Sequence, residues 1–148
     1  MTLSLSSQDG RGGVVTAGRA AAVREVSVLY AEEATAVAYA VRETLEAVGW
    51  RVEVCTRGDE ALRRLGGVER FDLLILSFLL PGLDGLELAR RVRALPRRRR
   101  TPIIMLTASE VEPEARRAGV DAFLRKPRGV LTLAETAARL LARADAQA

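Results

Sequence analysis

Histidine is absent from the 148 residues, cysteine occurs once, and one lysine stands among 23 basic residues. The missing histidines exclude a Ser/His triad and any phosphohistidine relay inside the chain. With a lone thiol, Cys55, neither an internal disulfide nor a structural zinc site can be assembled. No apolar stretch approaches the roughly 20 residues that span a bilayer. The first residues also lack the basic-then-apolar order of a secretory signal, so a cytoplasmic chain with no membrane partner is expected.

What is present reads as one α/β domain. Hydrophobic residues make up 49% of the chain, enough to bury a sizeable core. The net charge of +4 and pI near 10.2 invite a nucleic-acid partner. That signal is diluted, because arginine supplies every basic residue except Lys126 and is spread over the whole length.

Residues 1–24 are rich in Ser, Gly, Ala and Thr without sustained periodicity, and are expected to form a flexible arm. The cluster Gly10, Gly12, Gly13 is no phosphate loop, since no strand precedes it and no Gly-Lys-Ser/Thr follows. A domain is expected over 25–145, with 146–148 as a short tail. "VSVLY" (26–30) reads as a strand; Ala34, Val37, Ala38, Val41, Leu45 and Val48 then recur at helical spacing up to Gly49, placed to end the helix. "RVEVC" alternates like a strand with one less-buried face. "TRGDEALRRL" reads as a short helix in which Thr56 and Asp59 have the spacing of a capping box. "FDLLILS" and "TPIIMLT" are continuously apolar, as central parallel strands covered on both faces are. Leu88, Val92 and Leu95 mark a helix, "VDAFL" a fifth strand, and Val130, Leu133, Ala134, Ala137 and Leu141 a last amphipathic helix. Five alternations predict a doubly wound, five-stranded parallel sheet, (βα)5.

In such sheets the ligand site lies beyond the carboxyl ends of the strands. There the chain places Tyr30 and Ala31, Ser77, Thr107 and, just past the fifth strand, Lys126. Two hydroxyls and the one lysine facing a common crevice could hold an anion, or the hydroxyls could simply bond to nearby backbone.

On "LLPGLDG" after the third strand, "IIMLTA" around Thr107 and "AGVDAFLRKP" around Lys126, residues 24–145 resemble the receiver domain of two-component response regulators. The resemblance implies the flavodoxin-like receiver fold of the chemotaxis regulator. It also implies a phosphoacceptor aspartate ending the third strand, two acidic residues after the first strand that help to hold Mg²⁺, and a hydroxyl and a lysine that bind the phosphoryl oxygens. Thr107 and Lys126 match the last two, and Phe123 the aromatic position that follows phosphorylation.

The chain departs from that pattern. Ser77 stands at the phosphoacceptor position, and Tyr30 and Ala31 are read at the acidic-pair positions, so three metal-side carboxylates are expected to be missing. Without them Mg²⁺ binding is expected to be lost, leaving no metal and no cofactor. A serine with no activating base is a weak nucleophile. The expectation is a pseudo-receiver, not an enzyme, in bacterial signal transduction, acting by phosphorylation-independent protein–protein interaction with a histidine kinase, another regulator or a second copy of itself. No output domain is expected after the last helix. Ser77 is read as a small filler, with phosphorylation by a serine/threonine kinase as the alternative; the Tyr30 ring is read as filling vacated metal space. For the ammonium of Lys126, Ser77, Thr107, Glu32 and Glu33 are all candidate partners.

Two other readings stay open. One is an anion- or metabolite-sensing crevice built from Ser77, Thr107 and Lys126. The other is nucleic-acid binding through Arg97–Arg100 of "PRRRR", at the opposite edge of the sheet, although a solvated loop and no nucleic-acid partner are expected. Pro113, in a short segment after Thr107, predicts a short or irregular fourth helix.

Overall fold

The computed structural model describes residues 25–147; the expected arm at 1–24 lies outside them. Five parallel strands run β1 (Ser27–Ala31), β2 (Arg51–Cys55), β3 (Leu73–Leu76), β4 (Ile103–Thr107) and β5 (Ala122–Arg125), in the order β2-β1-β3-β4-β5. Between and after them come α1 (Thr35–Glu46), α2 (Gly58–Leu65), α3 (Gly85–Arg93), α4 (Glu112–Arg117) and α5 (Gly129–Ala146), with a 3-10 turn at Pro96–Arg98.

The order explains the hydropathy. β1, β3 and β4 are central and buried at every position, whereas β2 and β5 are edges with mixed burial. Alternate side chains of each central strand feed two cores. Leu29, Ala31, Leu74, Leu76 and Met105 pack under α2, α3 and α4, while Val28, Tyr30, Leu73, Ile75 and Ile104 pack under α1 and α5. Gly49 takes the left-handed conformation (φ 95°) that stops the α1 segment, in line with its sequence reading. The fourth helix has only six residues and carries Pro113 in its first turn, as expected.

Three details differ from the sequence reading. β1 ends one residue later than "VSVLY", at Ala31. The capping box of Thr56 does not form: α2 starts after Arg57 without a side-chain cap, Asp59 binds the Arg57 guanidinium at 3.0 Å, and the Gly58 N–H donates to the Pro81 carbonyl at 2.9 Å. That contact, set by the loop after β3, fixes where the helix begins in place of a hydroxyl. The third difference lies in the arginine run, described with the site below.

Candidate functional site

Because β1 connects to β2 on one side and pairs with β3 on the other, the crevice opens where the chain reverses direction across the sheet, beyond the ends of β1, β3, β4 and β5. Ser77 directly follows β3. It is 1% exposed and its N–H donates to the Ala31 carbonyl at 2.9 Å. The loop 77–85 is folded tightly against it: the Gly85 N–H donates to the Phe78 carbonyl, and a Cβ on Gly85 would stand 2.1 Å from the Ser77 carbonyl oxygen. Only glycine fits there, and Asp84 then caps α3 through the Glu87 N–H.

Thr107, the last residue of β4, is buried; its Oγ1 accepts from the Ser109 N–H, and its carbonyl accepts from the Lys126 N–H at 2.9 Å. That bond anchors the chain just past β5, where Lys126 leaves the sheet. Phe123, on β5, pairs in register with Met105 and is half-buried against the α2–α3–α4 core.

The centre of the crevice is a residue that the sequence reading offered only as one candidate among four. Glu32 is fully buried. Its Oε1 accepts from the Lys126 ammonium at 3.0 Å and from the Tyr30 hydroxyl at 3.0 Å, and its Oε2 accepts from the Ala34 N–H at 3.1 Å. Its own N–H donates to the Cys55 carbonyl. Burial first, and then the Glu32 carboxylate beside it, push the Tyr30 hydroxyl well above the usual tyrosine range, so it stays protonated as the donor. The four contacts make a closed unit in which a buried carboxylate is satisfied on both oxygens and the ammonium is paired.

This geometry corrects the reading of the acidic pair. Tyr30 and Ala31 lie inside β1 with their side chains packed in the two cores, and of the pair only the neutral Tyr30 hydroxyl reaches Glu32, so neither stands where the residue after the strand does. The two residues that follow β1 are Glu32, buried, and Glu33, exposed. The two positions after β1 that the resemblance marks as acidic are therefore held by carboxylates. Three observations bear on the Mg²⁺ that the resemblance implies. Glu32 has an ammonium on one oxygen and a backbone N–H on the other, Ser77 offers a neutral hydroxyl, and no cluster of three or more acidic or thiol ligands exists among the described residues.

The arginine run also differs from its reading as a solvated loop. Arg98 is 4% exposed, and its guanidinium donates to the carbonyls of Leu65, Gly67 and Glu69 while lying over the Phe71 ring at 5.5 Å. Burial, and then the charge of Arg97, pull its pKa below the ordinary arginine value. Its three fellows Arg97, Arg99 and Arg100 are exposed.

No helix among the described residues is long and apolar enough to cross a membrane. The family model described as response regulator receiver domain matches residues 28–138. The phosphate regulon transcriptional regulatory protein PhoB of Rhizobium meliloti is 47% identical over 107 residues, covering 70% of this chain and 45% of that protein; the chain thus spans less than half the length of this curated relative. Among solved structures, the CheY-like response regulator receiver domain protein of Methanospirillum hungatei aligns with a TM-score of 0.77 at 25% identity, covering 84% of this chain and all of that one. The receiver domain of a sensor histidine kinase from Pseudomonas aeruginosa, solved with magnesium coordinated in its active-site cleft, aligns with a TM-score of 0.74 at 28% identity, over 80% of this chain and 99% of that one.

Proposed function

Because the chain belongs to the response regulator receiver family, whose work is two-component signalling, we propose that this receiver is a pseudo-receiver that signals without aspartyl phosphorylation. The observation that supports it is the closed Lys126–Glu32–Tyr30 unit beside a buried serine. Phosphoryl transfer to a receiver needs a carboxylate nucleophile and a cation free to meet the incoming phosphoryl oxygens. Ser77 supplies no carboxylate, and no histidine exists to activate its hydroxyl. Lys126 is already neutralised by a carboxylate held in place by two further donors.

On this reading the chain is no enzyme, needs no metal, and works by binding other signalling proteins, a histidine kinase or another regulator. The alternative of an anion-sensing crevice is weakened by the same pair, since an anion at Lys126 has to displace Glu32. The test is intact-mass spectrometry after incubation with acetyl phosphate and Mg²⁺, and separately with a phosphorylated histidine kinase. Unchanged mass in both is expected. A labile mass increment of one phosphoryl group would overturn the reading.

A further inference from the structure

At the amino edge of the sheet, opposite the crevice, two acids beside the arginine turn, Glu69 and Asp121, are already paired and some arginines are not. Glu69 binds Arg64, and Asp121 binds Arg93 at 2.7 Å and the Ile103 N–H at 2.8 Å. Arg93 also gathers the carbonyls of Arg98, Arg99 and Thr101, which pins the arginine turn to the end of α3. Once Arg98 is turned inward, Arg97, Arg99 and Arg100 remain exposed on that turn. Among the described residues, none of these three, nor Arg143 near the end of α5, has an acidic or carbonyl partner for its guanidinium.

Arg100 and Arg143 line the same cleft, of about 110 Å³, together with Pro102, Asp121, Leu140 and Gln147. Arg99 and Arg100 line its neighbour, again with Asp121. The carboxylate shared by both clefts is already engaged by Arg93, so the field inside is set by the surplus cations. Arg143, in the last turn of α5, also offsets the helix dipole. Arg97, Arg99 and Arg100 sit at no α-helix terminus and have no such task.

We infer that the cleft between the Pro96–Arg98 turn and the end of α5 binds phosphate esters, with Arg100 and Arg143 as its clamp and Arg97 and Arg99 as flanking cations. Guanidinium forks match phosphate oxygens bidentately, and a cleft with two of them facing one space selects a tetrahedral anion over a single carboxylate. The phosphate can belong to a small ester or to a nucleic-acid backbone, and the test separates the two.

The experiment uses the full chain and its R100A/R143A variant, both checked for an unchanged thermal midpoint. Each is titrated with inorganic phosphate while the arginine Nε–H signals are followed by NMR, and with a 20-base-pair duplex by fluorescence anisotropy at several salt concentrations. Expected for a small ester is a saturable shift of the Arg100 and Arg143 signals with phosphate and no salt-dependent duplex binding. Expected for a backbone site is duplex binding whose logarithmic salt slope, about −0.9 per phosphate contact, falls by about two contacts in the variant. The inference is overturned if neither probe binds, if the variant binds both as well as the parent, or if polyglutamate competes as effectively as either phosphate probe.

Discussion

The two edges of the sheet solve the same problem, a cation out of water, with different chemistry. At the amino edge Arg98 spends its charge on three backbone carbonyls of the α2–β3 connection and on the face of Phe71. At the carboxyl edge Lys126 spends its charge on a single carboxylate oxygen that also accepts from Tyr30. A planar fork with several fixed donors suits dispersed carbonyls, and a compact ammonium on a flexible stem suits one buried oxygen. The contrast gives a physical reason for the lone lysine in a chain that otherwise uses arginine: one buried carboxylate oxygen that already accepts from Tyr30 is matched by a single compact donor. It also separates roles, since Arg98 ties the Pro96–Arg98 turn to the α2–β3 connection and Lys126 ties the chain past β5 to Glu32.

The amino edge should break hardest. Arg98→Ala strands three carbonyls and opens space beside Phe71, and a loss of about 3 to 5 kcal/mol in unfolding free energy is expected from urea titration. A loss below about 1 kcal/mol would show that water replaces the guanidinium freely. At the carboxyl edge Lys126→Met leaves Glu32 buried without its cation, at an expected cost of about 2 to 3 kcal/mol. Adding Glu32→Gln should recover part of that loss, because the two sites are directly coupled. Independent, additive effects in that double-mutant cycle would sever the pair.

Alkali sharpens the comparison further. Tyr30 has a raised folded pKa, so the unfolded chain releases its proton first. Its contribution is fully present below about pH 10 and is lost as pH rises beyond that. In a Tyr39→Phe background, where Tyr30 is the one tyrosine left, phenolate absorbance should grow only together with unfolding. Tyr30→Phe should flatten the alkaline slope. The smallest effect is expected one residue from the largest: Arg97→Ser should change stability by no more than about 0.5 kcal/mol.

Much of this architecture was legible because hydropathy is written by neighbours on both faces. The short apolar runs at 73–76 and 103–106, flanked by turn residues and rich in Leu and Ile, read as central strands, and the helical repeats after them as their cover. Glu32 was harder to see. One residue of uncertainty in where β1 ends exchanges a core position for a crevice position, and this moved the acidic pair onto Tyr30 and Ala31. Composition alone could not pick Arg98 out of four consecutive arginines either, because its burial depends on the carbonyls of a loop about thirty residues earlier. Ser77, Thr107 and Lys126, by contrast, are brought together by strand-end topology, which sequence order expresses directly.

The most direct measurement is an amide NMR spectrum recorded while Mg²⁺ and then beryllofluoride, a phosphoryl mimic, are added. On the proposed reading, with Lys126 paired to Glu32 and a serine at 77, the signals of Ser77, Thr107 and Lys126 are expected to stay in place. Saturable shifts of those three signals would contradict a closed crevice and put the anion-sensing reading ahead of the pseudo-receiver that signals by binding proteins alone.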